Sequence, residues 1–184
     1  MAMAQSNYPD PDGDVILVVG AAQVPLKVSS HVLSLASPVL ATLLGPSFKE
    51  GIELQAKGNL TVPLPEDNPD VFRIICDVLH FRSFADELDF PLLLEMATAV
   101  HYYMLAKPLQ TWAERWLQPH VTSTSTTDWE KTAQLLWISF ALEDHKTFAE
   151  ASKTLLLYSC LADFSNLEKT PNCGFDPGTM LCEL

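Results

Sequence analysis

Histidines, cysteines and clustered carboxylates are the residues of this chain that could do chemistry, and their spacing decides how far each reading goes. The five histidines stand singly, none four residues from another on a predicted helix, so no metal site is expected unless the fold assembles one. Cys76, Cys160, Cys173 and Cys182 form no Cys-x-x-Cys pair, which argues against a zinc knuckle or redox motif. They read instead as reduced thiols of an intracellular protein, in cytoplasm or nucleus. A small cysteine hydrolase would need a thiol held beside a base. Cys76 falls in an apolar helical stretch, where a thiol behaves as a small buried hydrophobe, and Cys173 and Cys182 fall in a turn-rich tail. The hydrolase therefore stays a remote alternative, and the expected role is not enzymatic. There is no Gly-x-Gly-x-x-Gly and no phosphate-cradling loop followed by Lys-Ser/Thr, so no cofactor is expected. The acidic run Glu66-Asp67 to Asp70 could draw a cation, but it reads better as a solvated loop with Asp70 at the favourable end of a helix dipole.

The tryptophans admit two readings. Trp112 and Trp116 lie one turn apart and share a face, with Trp129 and Trp137 following in the next predicted helix. Such rings could form a docking surface, since Trp is enriched at binding hot spots. The alternative, which the helical period favours, is that they pack one group of helices on another.

The elements that must position these residues follow from composition and pattern. With 48% hydrophobic and 18% charged residues the 184-residue chain is globular. A net charge of −12, from 11 basic and 23 acidic side chains, disfavours binding to nucleic acid or an anionic membrane. The N-terminus lacks the basic and apolar regions of a signal peptide. The uncharged stretch 28–48 carries Ser30, Ser34 and Ser37 at helical spacing and is broken by two prolines, so it is not a membrane span.

Residues 1–13 are turn-formers and read as a flexible tail. Val15 to Val19 predicts a strand covered on both faces. Val24, Leu26 and Val28 alternate with polar positions, and Pro25 places this second strand at an edge. A short helix begins at Val32. Ser37-Pro38, a cap followed by Pro, opens another containing Val39, Leu40, Leu43 and Leu44. Leu60, Val62 and Leu64 form a third strand, and Asn68-Pro69 opens a helix with Val71, Phe72, Ile75 and Leu79. Phe90, Leu93, Ala97, Val100 and Met104 repeat at helical spacing. The helix bearing Trp112 and Trp116 is shorter, closed by Pro119. A Ser/Thr linker at 121–127 precedes a helical pair at 128–160, its first helix opened by a Thr127–Glu130 capping box. Residues 161–184 read as a second flexible tail. Strands first and helices after predict an α+β fold.

These residues resemble a known family. Asp14-Val15-Ile16-Leu17-Val18-Val19-Gly20, then Val24-Pro25-Leu26-Lys27-Val28, then Val32-Leu33 and Ala36-Ser37-Pro38-Val39, resemble the opening of the BTB/POZ domain. Phe48-Lys49-Glu50-Gly51 and the run Leu64 to Phe72 are similar to the variant abundant in filamentous fungi. Ala97 to Tyr102, the Trp112 helix and the pair containing Leu136-Trp137-Ile138 and Leu142-Glu143-Asp144 continue the likeness, over about residues 12–160. The resemblance implies a BTB/POZ-like domain at 14–120, a three-stranded or slightly larger sheet capped by a helical bundle, with the helical pair as an extension.

It also implies a protein-interaction module without catalysis or cofactor. The leading expectation is an adaptor, in particular one that bridges substrates to the cullin scaffold of a RING ubiquitin ligase. The alternative is a self-associating or transcription-related scaffold without a ligase link. Ser29 and Ser30 stand where many members have His and a basic residue that partners the Asp at position 14, so a charged corepressor pocket is not expected. Only 13 turn-rich residues precede Asp14, so no swapped N-terminal strand is expected. Phe81-Arg82-Ser83 replaces the Tyr-Thr-Gly of many members. The candidate contacts are Val39, Leu40, Leu43 and Leu44, then Phe81, Phe84 and Phe90, then Trp112 and Trp116, as apolar residues bounded by polar loops. Val15, Leu17, Leu33, Phe72 and Ile75 should be buried and silent in binding.

Overall fold

A computed structural model describes residues 8–82, 87–123 and 128–161. The fold is α+β. Strands β1 (Val15–Val19), β2 (Val24–Val28) and β3 (Leu60–Leu64) form a small mixed sheet in the order β2-β1-β3. β1 pairs antiparallel with β2, Leu17 opposite Leu26, and parallel with β3, Leu17 opposite Val62. Among the described residues there are eight helices, α1 (Ser30–Ala36), α2 (Pro38–Leu43), α3 (Lys49–Lys57), α4 (Pro69–Leu79), α5 (Phe90–Tyr102), α6 (Ala106–Ser123), α7 (Trp129–Ala141) and α8 (His145–Leu161).

The cap-plus-proline signals act where the sequence places them. Ser37 Oγ accepts from Leu40 N ahead of Pro38, and Asn68 Oδ1 accepts from Asp70 and Val71 N ahead of Pro69. Val15, Leu17, Leu33, Phe72 and Ile75 are all buried. One continuous apolar core runs from the sheet through α4, α5 and α6 to Leu135, Ile138 and Leu142 of α7.

Five expectations change. Leu17 and its neighbours in the same face are buried, but Ile16 and Val18 are only half-covered, so β1 is shielded fully on one side. α3 has no counterpart in the sequence reading, because Ile52 and Leu54 give too little apolar period to declare it. Its first turn presses so closely on the end of α2 that a Cβ at Gly51 would lie 1.9 Å from the Gly45 carbonyl oxygen. Met104 is not part of the α5 core stripe, since the helix ends before it. α6 passes through Pro119 to Ser123 instead of stopping. Proline removes one helical bond, but His120 Nε2 donates to the Leu88 carbonyl and Thr122 Oγ1 to Gln118 and Pro119, which hold the last turn. Finally, α7 is capped by Asp128, whose carboxylate accepts from Lys131 N, one residue after the expected Thr127, which lies outside the described residues.

α5 and α7 run in the same direction. Lys131 Nζ lies 5.2 Å from the Phe90 ring at their starts, and Trp137 and Phe140 meet His101 near their ends. α6 runs opposite, His120 meeting Leu88 just before α5. Among the described residues no helix is long and apolar enough to cross a membrane.

Candidate functional site

The C-terminal ends of β1 and β3 share one pole of the molecule with the start of α4 and the end of α5. Tyr103 ties that pole together. Its hydroxyl donates to Asp67 Oδ2 at 2.7 Å, and its ring meets Phe72 edge-on at 5.1 Å. Its carbonyl accepts the Ser37 hydroxyl at 2.5 Å. Ser37 is fully buried, and its N–H closes α1 on Leu33 while its Oγ opens α2 at Leu40. One serine therefore joins α1, α2 and the end of α5. Burial raises Asp67 above the usual carboxylate range, with the Tyr103 bond opposing it, and burial raises the Tyr103 phenol as well.

Around this knot the surface is apolar. Leu35 is 76% exposed on α1, and Pro38 is exposed at the start of α2. Tyr102 and Met104 are 69% and 60% exposed at the end of α5. Met104 N bonds back to the His101 carbonyl, and the exposed His101 ring stacks edge-on against Trp137 at 5.2 Å and lies 5.8 Å from Phe140. His101 thus brings Tyr102, Met104 and Phe140 into one neighbourhood, while Leu35 lies on the side of α1 away from the buried Leu33 and Ser37. Scattered exposed apolar residues are ordinary, whereas a contiguous group marks a place where another surface lies down.

The opposite pole is polar. Asp14 accepts twice from Ser30, Oδ1 from the backbone N–H at 2.7 Å and Oδ2 from the hydroxyl at 2.6 Å. Burial pushes Asp14 up, but the Ser30 bonds outweigh it and hold the carboxyl below its usual range. His80 Nδ1 donates to the Cys76 carbonyl at 2.8 Å, so Nε2 accepts the Ser29 N–H at 3.1 Å, fixing the tautomer and tying α4 to the start of α1. Phe81 follows, almost wholly exposed.

The candidate contacts do not form one surface. Leu40, Leu44 and Trp116 are buried in the core, which removes them from any contact surface of this fold. Val39, Leu43 and Trp112 are half-buried and pack against that core. Trp112 stacks on Trp116 of the same helix at 6.5 Å with the Arg115 guanidinium over its ring, and both belong to the core or pack against it. Phe90 is half-buried between His120 and Lys131. Phe81 is exposed but sits at the other pole, and Phe84 lies outside the described residues. Leu35, Tyr102, Met104 and Phe140 were not among the candidates. Leu35 had a signal: it stands two residues from the buried Leu33, and positions two apart on a helix cannot share a face.

Cys76 is buried, and desolvation pushes its thiol up to about 12, which disfavours the thiolate a nucleophile needs. Among the described residues no group of three or more His, Cys, Asp or Glu could hold a metal ion. No family model matches the chain, and no curated protein matches it significantly.

Proposed function

We propose that the chain is a BTB/POZ-like protein-interaction module, an adaptor that docks another polypeptide on the Tyr102–Met104–Phe140 surface, with the cullin scaffold of a RING ubiquitin ligase as its partner. The observation that carries the docking reading is the exposure of Tyr102, Met104 and Phe140 around His101, next to the Tyr103 knot. Ser37 and Tyr103 tie α1, α2, the end of α5 and the turn before α4 to one another by one buried and one half-buried hydrogen bond, so the surface is pre-organised and binding costs little ordering. The order strand, strand, helices, strand, helices, followed by α7 and α8, supports the family reading. The Asp14–Ser30 pair supports an adaptor over a corepressor-recruiting role, because both carboxylate oxygens accept from an uncharged serine where that role calls for a basic side chain.

Calorimetric titration with a purified cullin scaffold tests the proposal. The wild type should bind, and Met104→Glu should weaken binding roughly tenfold or more, the scale of a central contact. A folded wild type that fails to bind sinks the ligase link. Sedimentation then decides the alternative: a self-associating scaffold would show concentration-dependent mass that Met104→Glu abolishes.

A further inference from the structure

The ground on either side of Tyr102, Met104 and Phe140 is acidic. On one flank Asp67 accepts from the Tyr103 hydroxyl, and the Tyr103 ring meets the Tyr102 ring edge-on at 4.8 Å. Glu66 is exposed beside Asp67, and its charge adds to what raises that carboxyl. Glu95 accepts from the Asn68 amide and lies seven residues before Tyr102, two turns back on the same exposed face of α5. On the other flank α7 ends at Phe140, where Glu143 N donates to the Phe140 carbonyl at 3.1 Å and Asp144 N to that of Ser139 at 2.8 Å. The Lys or Arg residues nearest in sequence to Met104 and Phe140 are Lys107 and Lys146. Among the described residues no ion pair reaches any of the five carboxylates.

That sign decides between occupants. A second copy would set the same acidic flanks face to face, and each copy carries a net charge of −12. Residues 162–184 of the chain itself hold Asp163, Glu168, Asp176 and Glu183 against Lys169 alone, so they carry the same sign. An apolar centre between acidic flanks is complemented by the reverse arrangement, apolar side chains between arginines or lysines. Arginine fits best, because its planar guanidinium pairs with a carboxylate and also stacks on an exposed ring such as Tyr102.

We infer that the Tyr102–Met104–Phe140 surface takes a basic amphipathic segment of its partner, with an apolar side chain on Met104 and flanking Arg or Lys residues meeting Glu66 on one side and Glu143 on the other. The inference rests on the docking reading proposed above and adds to it the chemistry of the segment that docks.

Fluorescence anisotropy of a labelled peptide with Leu and Arg at helical spacing, titrated with the full chain, is the test. The peptide should bind, and less tightly as salt is raised. The same residues in scrambled order, or Glu in place of Arg, should bind about tenfold less tightly or worse. Glu66→Lys and Glu143→Lys should each weaken the first peptide about fivefold. Asp12→Lys makes an equal change of charge at an exposed position near the Asp14 pole, and should leave binding within about twofold. Met104→Ser, which alters no charge, should weaken binding as well. Should Glu143→Lys disturb the end of α7, Glu66→Lys carries the comparison alone. A folded wild type that ignores the peptide or binds its scrambled form equally well overturns the inference, as does an Asp12→Lys loss equal to that of Glu66→Lys. A wild-type dimer in sedimentation that Met104→Ser dissolves also overturns it, making a second copy the occupant. Cullin binding that Met104→Glu weakens but Glu66→Lys and Glu143→Lys leave unchanged overturns the inference and keeps the docking reading. Peptide binding without cullin binding supports the inference and drops only the ligase link.

Discussion

Asp14 and Asp67 stand at opposite ends of the same small sheet, and each accepts a hydrogen bond from a hydroxyl. Asp14 takes both of its bonds from Ser30, sixteen residues on, and stays below the usual carboxylate range. Asp67 takes one bond from Tyr103, is more deeply desolvated and is raised. The first carboxylate caps a local junction. The second joins segments 36 residues apart, beside a serine that reaches 66 residues to the same tyrosine. The pole with the Tyr103 ties carries the exposed Tyr102 and Met104, where Ser37 fixes α1, α2 and the end of α5 relative to one another.

Tyr103→Phe should break this contrast most. It removes the donor to a half-buried carboxylate, and leaving such a group unsatisfied costs about 1–3 kcal/mol. Urea unfolding should show a lower midpoint with an unchanged slope. Phe81→Gly should come next, with the opposite sign. Phe81 has φ +55°, Arg82 N bonds to the Asp77 carbonyl and Phe81 N to the Val78 carbonyl, the helix ending that glycine favours. Replacing a bulky residue there should raise stability by up to about 1 kcal/mol. Thermal melting reads this, and cullin binding should not change.

The smallest effect is in pH dependence. Asp14 is depressed, so its stabilisation is present above its unfolded value near 3.8 and is lost as pH falls through the lower folded value. Asp67 is raised, so its contribution is complete below its unfolded value and is lost as pH rises through the higher folded one. In Asp14→Asn the acid-side loss should shrink and the Asp67 trend should stand out. Urea unfolding across the acidic range checks it. A profile unchanged from the wild type would mean that the Asp14 carboxyl does not differ between folded and unfolded chain.

Much of the fold was legible because its signals are local. Ser37-Pro38 and Asn68-Pro69 mark helix starts, and the alternation at Val24 to Val28 and Leu60 to Leu64 marks strands with one wet face. Helix ends were harder. Phe81, Met104 and Glu143 all adopt left-handed conformations just past α4, α5 and α7, and none is the glycine that would announce a stop. This is why Met104 reads as core from its spacing and yet protrudes. The candidate site was legible only as a list of apolar residues. Residue type does not tell Leu40, which is buried, from Leu35, which is not; the backbone contact from Ser37 to Tyr103 decides which side of α1 faces out.

Pro25 of β2 and Pro63 of β3 both stand opposite Val18 with their imino nitrogens turned away from β1, and together they fix the alignment of the sheet. Sliding either outer strand by one position would turn its imino nitrogen toward β1, where a donor is required, and would expose the buried side chains of that strand at the same time. Mispaired arrangements one step away are thus penalised on both flanks of Val18, and the hairpin and its parallel neighbour can zip in a single alignment.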